Sequence, residues 1–128
     1  MLDAEGYLTE GTGENIFMVR DGEIKTTPLT SILNGITRQT VLECFRRDGK
    51  AVAEQRFTRD ELWCADEVFL TGTAAEITPV REVDNRPIGR GAASGKPGPL
   101  TLKMKQAYAE LVRGKGPEFT RRWLTRIE

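Results

Sequence analysis

Leu33-Asn34-Gly35-Ile36-Thr37-Arg38 and, further along, Leu70-Thr71-Gly72-Thr73-Ala74-Ala75-Glu76-Ile77-Thr78-Pro79 are the stretches from which the fold is read. Each sets a small, hydroxyl-bearing turn where an apolar strand or helix starts or stops. At such a turn backbone N–H groups lack partners within the element and a helix dipole adds positive potential, so a phosphate or carboxylate is favoured there. Taken singly, either is ordinary, because Thr is a good residue for a helix start and Gly a common turn residue. Together they read as one face of an active site, and neither is a complete catalyst.

Outward from the first stretch, Val41, Cys44 and Phe45 stand at helical spacing and Gly49 follows as a terminator, so an amphipathic helix is predicted over residues 37–48. Upstream, Tyr7-Leu8-Thr9 and Asn15-Ile16-Phe17-Met18-Val19 read as short strands around the turn Glu10-Gly11-Thr12-Gly13-Glu14. Asp21-Gly22 between Phe17-Met18-Val19 and Ile24-Lys25-Thr26 signals a tight hairpin, which makes the N-terminal third rich in strand. Thr58 and Glu61 have capping-box spacing for a short helix over residues 58–63. Val68-Phe69-Leu70 reads as a buried strand entering the second stretch, and residues 76–83 and 86–88 read as strands around Asp84-Asn85. Residues 89–99 form a Gly/Pro-rich segment, either a plain connector or a lid. Leu100, Met104, Ala107, Tyr108 and Leu111 then recur at helical spacing until Gly114, a final packing helix. The expected class is α+β, a β-rich pseudo-barrel with helices packed outside, in one domain over residues 1–128.

Composition narrows the chemistry. A chain of 128 residues buries roughly two-thirds of the surface its unfolded form exposes, enough for a core without staples. Lys plus Arg and Asp plus Glu are equal at 19 each, so no net field draws the chain to nucleic acid or an anionic membrane, and Arg121-Arg122 reads as solvated surface. No apolar run approaches the roughly 20 residues of a spanning helix. The absence of histidine removes Ser-His and Cys-His nucleophile pairs, imidazole acid–base catalysis and histidine metal sites, and no metal ligand set is expected. Cys44 and Cys64 are read as core packing positions, with a disulfide or a reactive thiol as the other options. The first five residues, Met1-Leu2-Asp3-Ala4-Glu5, have no signal-peptide character, and a reducing cytoplasmic location is expected.

Three blocks occur in order: Thr9-Glu10-Gly11-Thr12-Gly13-Glu14-Asn15-Ile16-Phe17, then Leu33-Asn34-Gly35-Ile36-Thr37-Arg38, then Gly72-Thr73-Ala74-Ala75-Glu76-Ile77-Thr78-Pro79-Val80. This order resembles the C-terminal half of the branched-chain amino acid aminotransferases, pyridoxal-phosphate enzymes of fold type IV, over essentially the whole chain. D-amino acid aminotransferases and aminodeoxychorismate lyases share the layout but differ within the first and third blocks. The resemblance implies that Glu10 faces the pyridine nitrogen of pyridoxal phosphate; without it, Glu10 reads as a solvated turn carboxylate. It implies that the backbone of Ile36, the backbone and hydroxyl of Thr37 and the hydroxyl of Thr73 hold the cofactor phosphate, while Leu33 packs against the ring. It further implies that the N–H groups of Thr73 and Ala74 cradle the substrate α-carboxylate and that Gly13 leaves room beside the substrate. Glu14 and Arg38 either support these residues or form ordinary surface ion pairs.

The same resemblance asks for a lysine before the first block, to hold the cofactor as a Schiff base and move the α-proton, and none of the nine residues before Glu10 is lysine. Lys25, Lys50, Lys96, Lys103, Lys105 and Lys115 read as solvated cations in hairpin, helix-end or loop positions. The expectation is therefore the cofactor-binding half of a transaminase acting on branched-chain amino acids and 2-oxoglutarate, truncated, without its N-terminal domain, inactive alone and forming a homodimer. The other reading is a standalone, non-catalytic domain that binds phosphate-type ligands or self-associates.

Overall fold

A computed structural model describes residues 1–125, in which the elements run β1 (Asn15–Arg20), β2 (Glu23–Thr26), α1 (Ile36–Arg47), β3 (Val52–Glu54), α2 (Arg59–Trp63), β4 (Glu67–Gly72), β5 (Glu76–Pro79), β6 (Glu82–Val83), β7 (Arg86–Pro87) and α3 (Pro99–Val112). A 3-10 segment, Glu118–Trp123, for which the sequence pattern gives no sign, follows α3. The α+β class is as expected. Five strands form one sheet in the order β3-β2-β1-β4-β5, and β6 and β7 form a separate ribbon.

Local chemistry accounts for most boundaries. Val19 faces Ile24 and Arg20 faces Glu23, leaving Asp21-Gly22 as a two-residue loop with φ of 49° and 83°, the mirror-image turn whose twist matches a hairpin. Helix α1 ends in a glycine of φ 71°, Gly49, with Gly49 N–H donating to Arg46 O and Lys50 N–H to Phe45 O. Gly114, φ 74°, closes α3 the same way. Thr58 and Glu61 form the reciprocal capping box at the start of α2.

The central strand β1 is buried on both faces. Phe17 and Val19 point toward α1 and α3 and join Val41, Phe45, Phe69, Ile77 and Met104. Phe17 stacks on Phe69, its cross-strand partner, at 5.0 Å, and Phe45 tilts onto both. Ile16 and Met18 point to the opposite face with Phe57, Leu62, Val68 and Ile88. Helix α3 is fastened by a residue from the sheet: buried Glu67 accepts from Leu100 N–H, Thr101 N–H and the Thr101 hydroxyl at 3.1, 2.7 and 2.7 Å.

Several expectations are corrected. Tyr7-Leu8-Thr9 is not a ladder strand, because Leu8 bridges Leu2 while Tyr7 bridges Thr58, two different partners. The strand over residues 76–83 divides: β5 ends at Pro79, Val80 N–H makes a last bond to Val68 O at 2.8 Å, and the chain then leaves the main sheet, where β6 pairs with β7. Cys44 packs against the Phe17 cluster, as expected, but Cys64 is not a core position. Cys44 is half-buried, and Cys64, at the C-terminal end of the five-residue α2, is exposed; both are free thiols. Burial pushes the Cys44 thiol pKa up, and nearby Asp48 and Glu43 add to it. Lys25 is not a free surface cation but lies beside β3 and α2, paired with Glu61 at 3.1 Å, and Lys103, within α3, pairs with Asp48 at 2.7 Å. Residues 89–99 act as a connector, tied down by Gly89 N–H to Ala65 O and Gly95 N–H to Ile88 O. Arg121 and Arg122 are exposed, as read.

Candidate active site

The three sequence blocks converge on one cavity of about 290 Å³. The turn before β1 supplies Glu10, Thr12, Gly13 and Glu14; the start of α1 supplies residues 33–37; the end of β4 supplies Thr71, Gly72 and Thr73. Pairing explains the convergence, since Asn15 lies opposite Thr71 in the β1–β4 ladder and the segment between β2 and α1 returns over the same end of the sheet. A larger hollow of about 780 Å³ between α1 and the 3-10 segment contains Glu43, Arg46 and Arg47, already engaged in a surface ion-pair cluster, and lacks this convergence of backbone donors.

One end of the cavity is a bare helix start. No side chain caps α1, and its first intrahelical bond runs from Gln39 N–H to Gly35 O, so the N–H groups of Ile36, Thr37 and Arg38 have no partner within the helix. Thr37 is buried there, and the buried Thr71 hydroxyl has no hydrogen-bond partner among the described residues. An orphaned buried hydroxyl beside unpaired N–H groups is the donor set an anion would satisfy. At the other end stands a carboxylate. Glu10 Oε2 accepts from Leu33 N–H and Asn15 Nδ2, both at 3.0 Å, so Glu10 is a held group and not a solvated one. Leu33 and Ile36 sit at the rim, 75% and 79% exposed.

The β4–β5 turn completes the wall. Gly72 faces Glu76 across the hairpin, leaving Thr73, Ala74 and Ala75 as its loop, and Glu76 takes a left-handed φ of 51° that costs about 1 to 3 kcal/mol for a non-glycine residue. Thr73 reaches the cavity, while Ala74 stands just beyond its lining. A Cβ on Gly72 would lie 3.0 Å from Gly13 O, so a larger residue here would press on the backbone of the Gly13 turn.

The structure settles two polar residues for which the sequence leaves two roles open. Arg38 is no surface cation: it is 1% exposed, donates to Thr27 O at 3.0 Å and pairs with Glu54, pinning the first turn of α1 to the strands beneath. Glu14 accepts from Gly13 N–H through Oε2 at 3.1 Å and so shapes its own turn. Asn15 and Thr71 are site residues that the sequence reading misses. For Asn15 a signal exists, since a polar residue opening an otherwise apolar buried strand must find partners. Nothing local distinguishes Thr71 from any strand threonine.

A family model for amino-transferase class IV matches residues 1–83. The chain belongs to the class IV aminotransferases. It is 52% identical over 128 residues to a branched-chain-amino-acid aminotransferase of Pseudomonas aeruginosa, covering all of this chain and 40% of that protein. The solved branched-chain amino acid aminotransferase of T.th., complexed with N-(5'-phosphopyridoxyl)-L-glutamate, superposes with TM-score 0.93 at 48% identity, covering 100% of this chain and 41% of the other. The Escherichia coli enzyme superposes with TM-score 0.83 at 46% identity over 91% of this chain and 38% of its own. The chain thus spans about two-fifths of the length of the relatives it matches. Pyridoxal phosphate is the cofactor this family implies. The cavity fits such a molecule, with unpaired N–H donors and threonine hydroxyls at one end and a fixed carboxylate at the other.

Proposed function

We propose that the chain is the cofactor-binding half of a transaminase that moves an amino group between branched-chain amino acids and 2-oxoglutarate. What carries this reading is the meeting, in one cavity, of a helix start without a cap and a carboxylate held from two sides. When bound, pyridoxal phosphate supplies the electron sink for the substrate α-carbon. In this reading the Ile36 and Thr37 N–H groups and the Thr37 and Thr73 hydroxyls take the phosphate. The α1 dipole adds about 0.3 to 1 kcal/mol, rising to about 2 in a partly buried site. Glu10 keeps a proton on the pyridine nitrogen by its negative charge, and Leu33 packs on the ring. The Thr73 and Ala74 N–H groups receive the substrate α-carboxylate, in a place where small residues let the backbone approach, and Gly13 leaves space beside it.

Among the described residues no lysine lines the cavity. In this reading the amine that moves the α-proton comes from outside these 128 residues, and the polypeptide alone does not turn over. A reducing cytoplasmic setting belongs to the same reading, and among the described residues no helix is long and apolar enough to cross a membrane. The test is a phosphate-dependent rise in melting temperature that Thr37→Val abolishes. An unchanged rise in the variant would move the anion elsewhere.

Exposed Leu33 and Ile36 on the rim of the cavity, at 75% and 79%, favour a second component of the proposal, self-association into a homodimer through the cavity mouth.

A further inference from the structure

We infer that Asn15 is a positioning residue for the cofactor: it fixes the Glu10 carboxylate so that one oxygen is spent on the protein and the other is left for the ligand. The inference rests on the proposed reading of Glu10. Asn15 is 4% exposed and opens β1. Its Nδ2 donates to Glu10 Oε2 at 3.0 Å and to Leu33 O at 2.8 Å. Both partners are acceptors, so the amide has only one orientation that satisfies them, with Oδ1 on the opposite side. Oδ1 lies against Gly35 Cα, where an added Cβ would fall well inside contact distance.

Three consequences follow from this geometry. Oε2 of Glu10 is saturated, receiving Asn15 Nδ2 from the strand side and Leu33 N–H from the turn side, so the carboxylate cannot rotate freely. Its Oε1 accepts no bond among the described residues and belongs to a residue that lines the cavity. Leu33 O also accepts from Gly35 N–H at 2.9 Å, and Gly35 is the N-terminal cap residue of α1, so the turn that leads into the bare helix start keeps a bond of its own when the amide is removed. Asn15 therefore acts through Glu10 on the ring end, while the donors at the phosphate end belong to the helix and to the threonines.

That division predicts a selective defect, measurable on the 128-residue chain with pyridoxamine 5'-phosphate and with inorganic phosphate as probes. Pyridoxamine 5'-phosphate carries no aldehyde, so surface lysines cannot capture it covalently. By calorimetry, Asn15→Ala should weaken pyridoxamine 5'-phosphate about tenfold, the loss expected for one misplaced charged hydrogen bond, and leave phosphate affinity unchanged. Placed in a Glu10→Ala background, Asn15→Ala should have no further effect, because a residue that works through another is silent once that other is gone. Asn15→Leu keeps the branched shape without adding a charge beside Glu10, loses the two donated bonds and should give the same pattern, which keeps the test valid if the alanine variant unfolds. Unaltered pyridoxamine 5'-phosphate affinity in folded Asn15 variants overturns the inference alone, as does an undiminished effect in the Glu10→Ala background. A parent chain that binds neither probe overturns the reading of the cavity and the inference together.

Discussion

Replacing Gly35 by Ala probes whether the Asn15 amide is truly locked. Gly35 has φ −63° and ψ 141°, a conformation alanine adopts without strain, so backbone torsion contributes nothing to the cost. The new Cβ, however, would overlap Asn15 Oδ1. Asn15 is buried and tied by two donated bonds, so it cannot swing aside without giving them up. Overpacking of this kind costs about 1 to 3 kcal/mol. Loss of glycine at a helix N-cap adds roughly 0.5 kcal/mol. The stiffer unfolded chain returns about 0.4 to 1 kcal/mol, leaving a net destabilisation of about 0.5 to 3 kcal/mol. For a domain of this size the melting temperature should fall by roughly 2 to 12 °C. Differential scanning calorimetry without ligand reads it directly. Gly13→Ala is the matched control, because a Cβ there meets nothing within 4 Å, and it should leave the melting temperature at or slightly above that of the parent. A Gly35→Ala variant as stable as the Gly13→Ala variant would refute the reasoning, since it would mean that Asn15 yields at no cost.

Glu67→Ala should destabilise by about 2 to 3 kcal/mol, because it removes a buried carboxylate that satisfies the start of α3 and leaves Leu100 and Thr101 N–H without their acceptor; Glu67→Gln, which retains an acceptor, should recover part of this in urea titrations. Arg46, with Arg47, holds the Glu43 carboxyl at about 2, below its ordinary 4.5. A depressed folded-state pKa gives stability that is present above the unfolded value and lost as pH falls through the folded one, so the melting-temperature advantage of the parent over Glu43→Gln should shrink between pH 4.5 and about 2. With pyridoxal phosphate, leucine and 2-oxoglutarate, the 128-residue chain should form no glutamate in a coupled assay, and a rate typical of transaminases, about 1 per second or more, would refute that. Sedimentation at micromolar concentration should show a dimer that Leu33→Ser and Ile36→Ser weaken, whereas a monomer without concentration dependence would count against association through the cavity mouth.

What the sequence determined by itself is short in range. The Asp21-Gly22 hairpin, the glycine ends of α1 and α3 and the capping box at Thr58 each depend on residues within one turn of each other, where φ preference and a single hydrogen bond decide the outcome. The three ordered blocks also carried the family, because close backbone approach to an anion demands small residues in a fixed local pattern. Tertiary structure decided the rest. Glu67 caps a helix 34 residues away, Asn15 reaches Leu33 across 18, and Arg38 is buried through Thr27 and Glu54, on segments that precede and follow its own helix. The same side chains in open solution would be an exposed acid, amide and cation. Only the sheet order β3-β2-β1-β4-β5 brings their partners within hydrogen-bond reach, and the cost of burying a polar group unpaired then fixes where each must point.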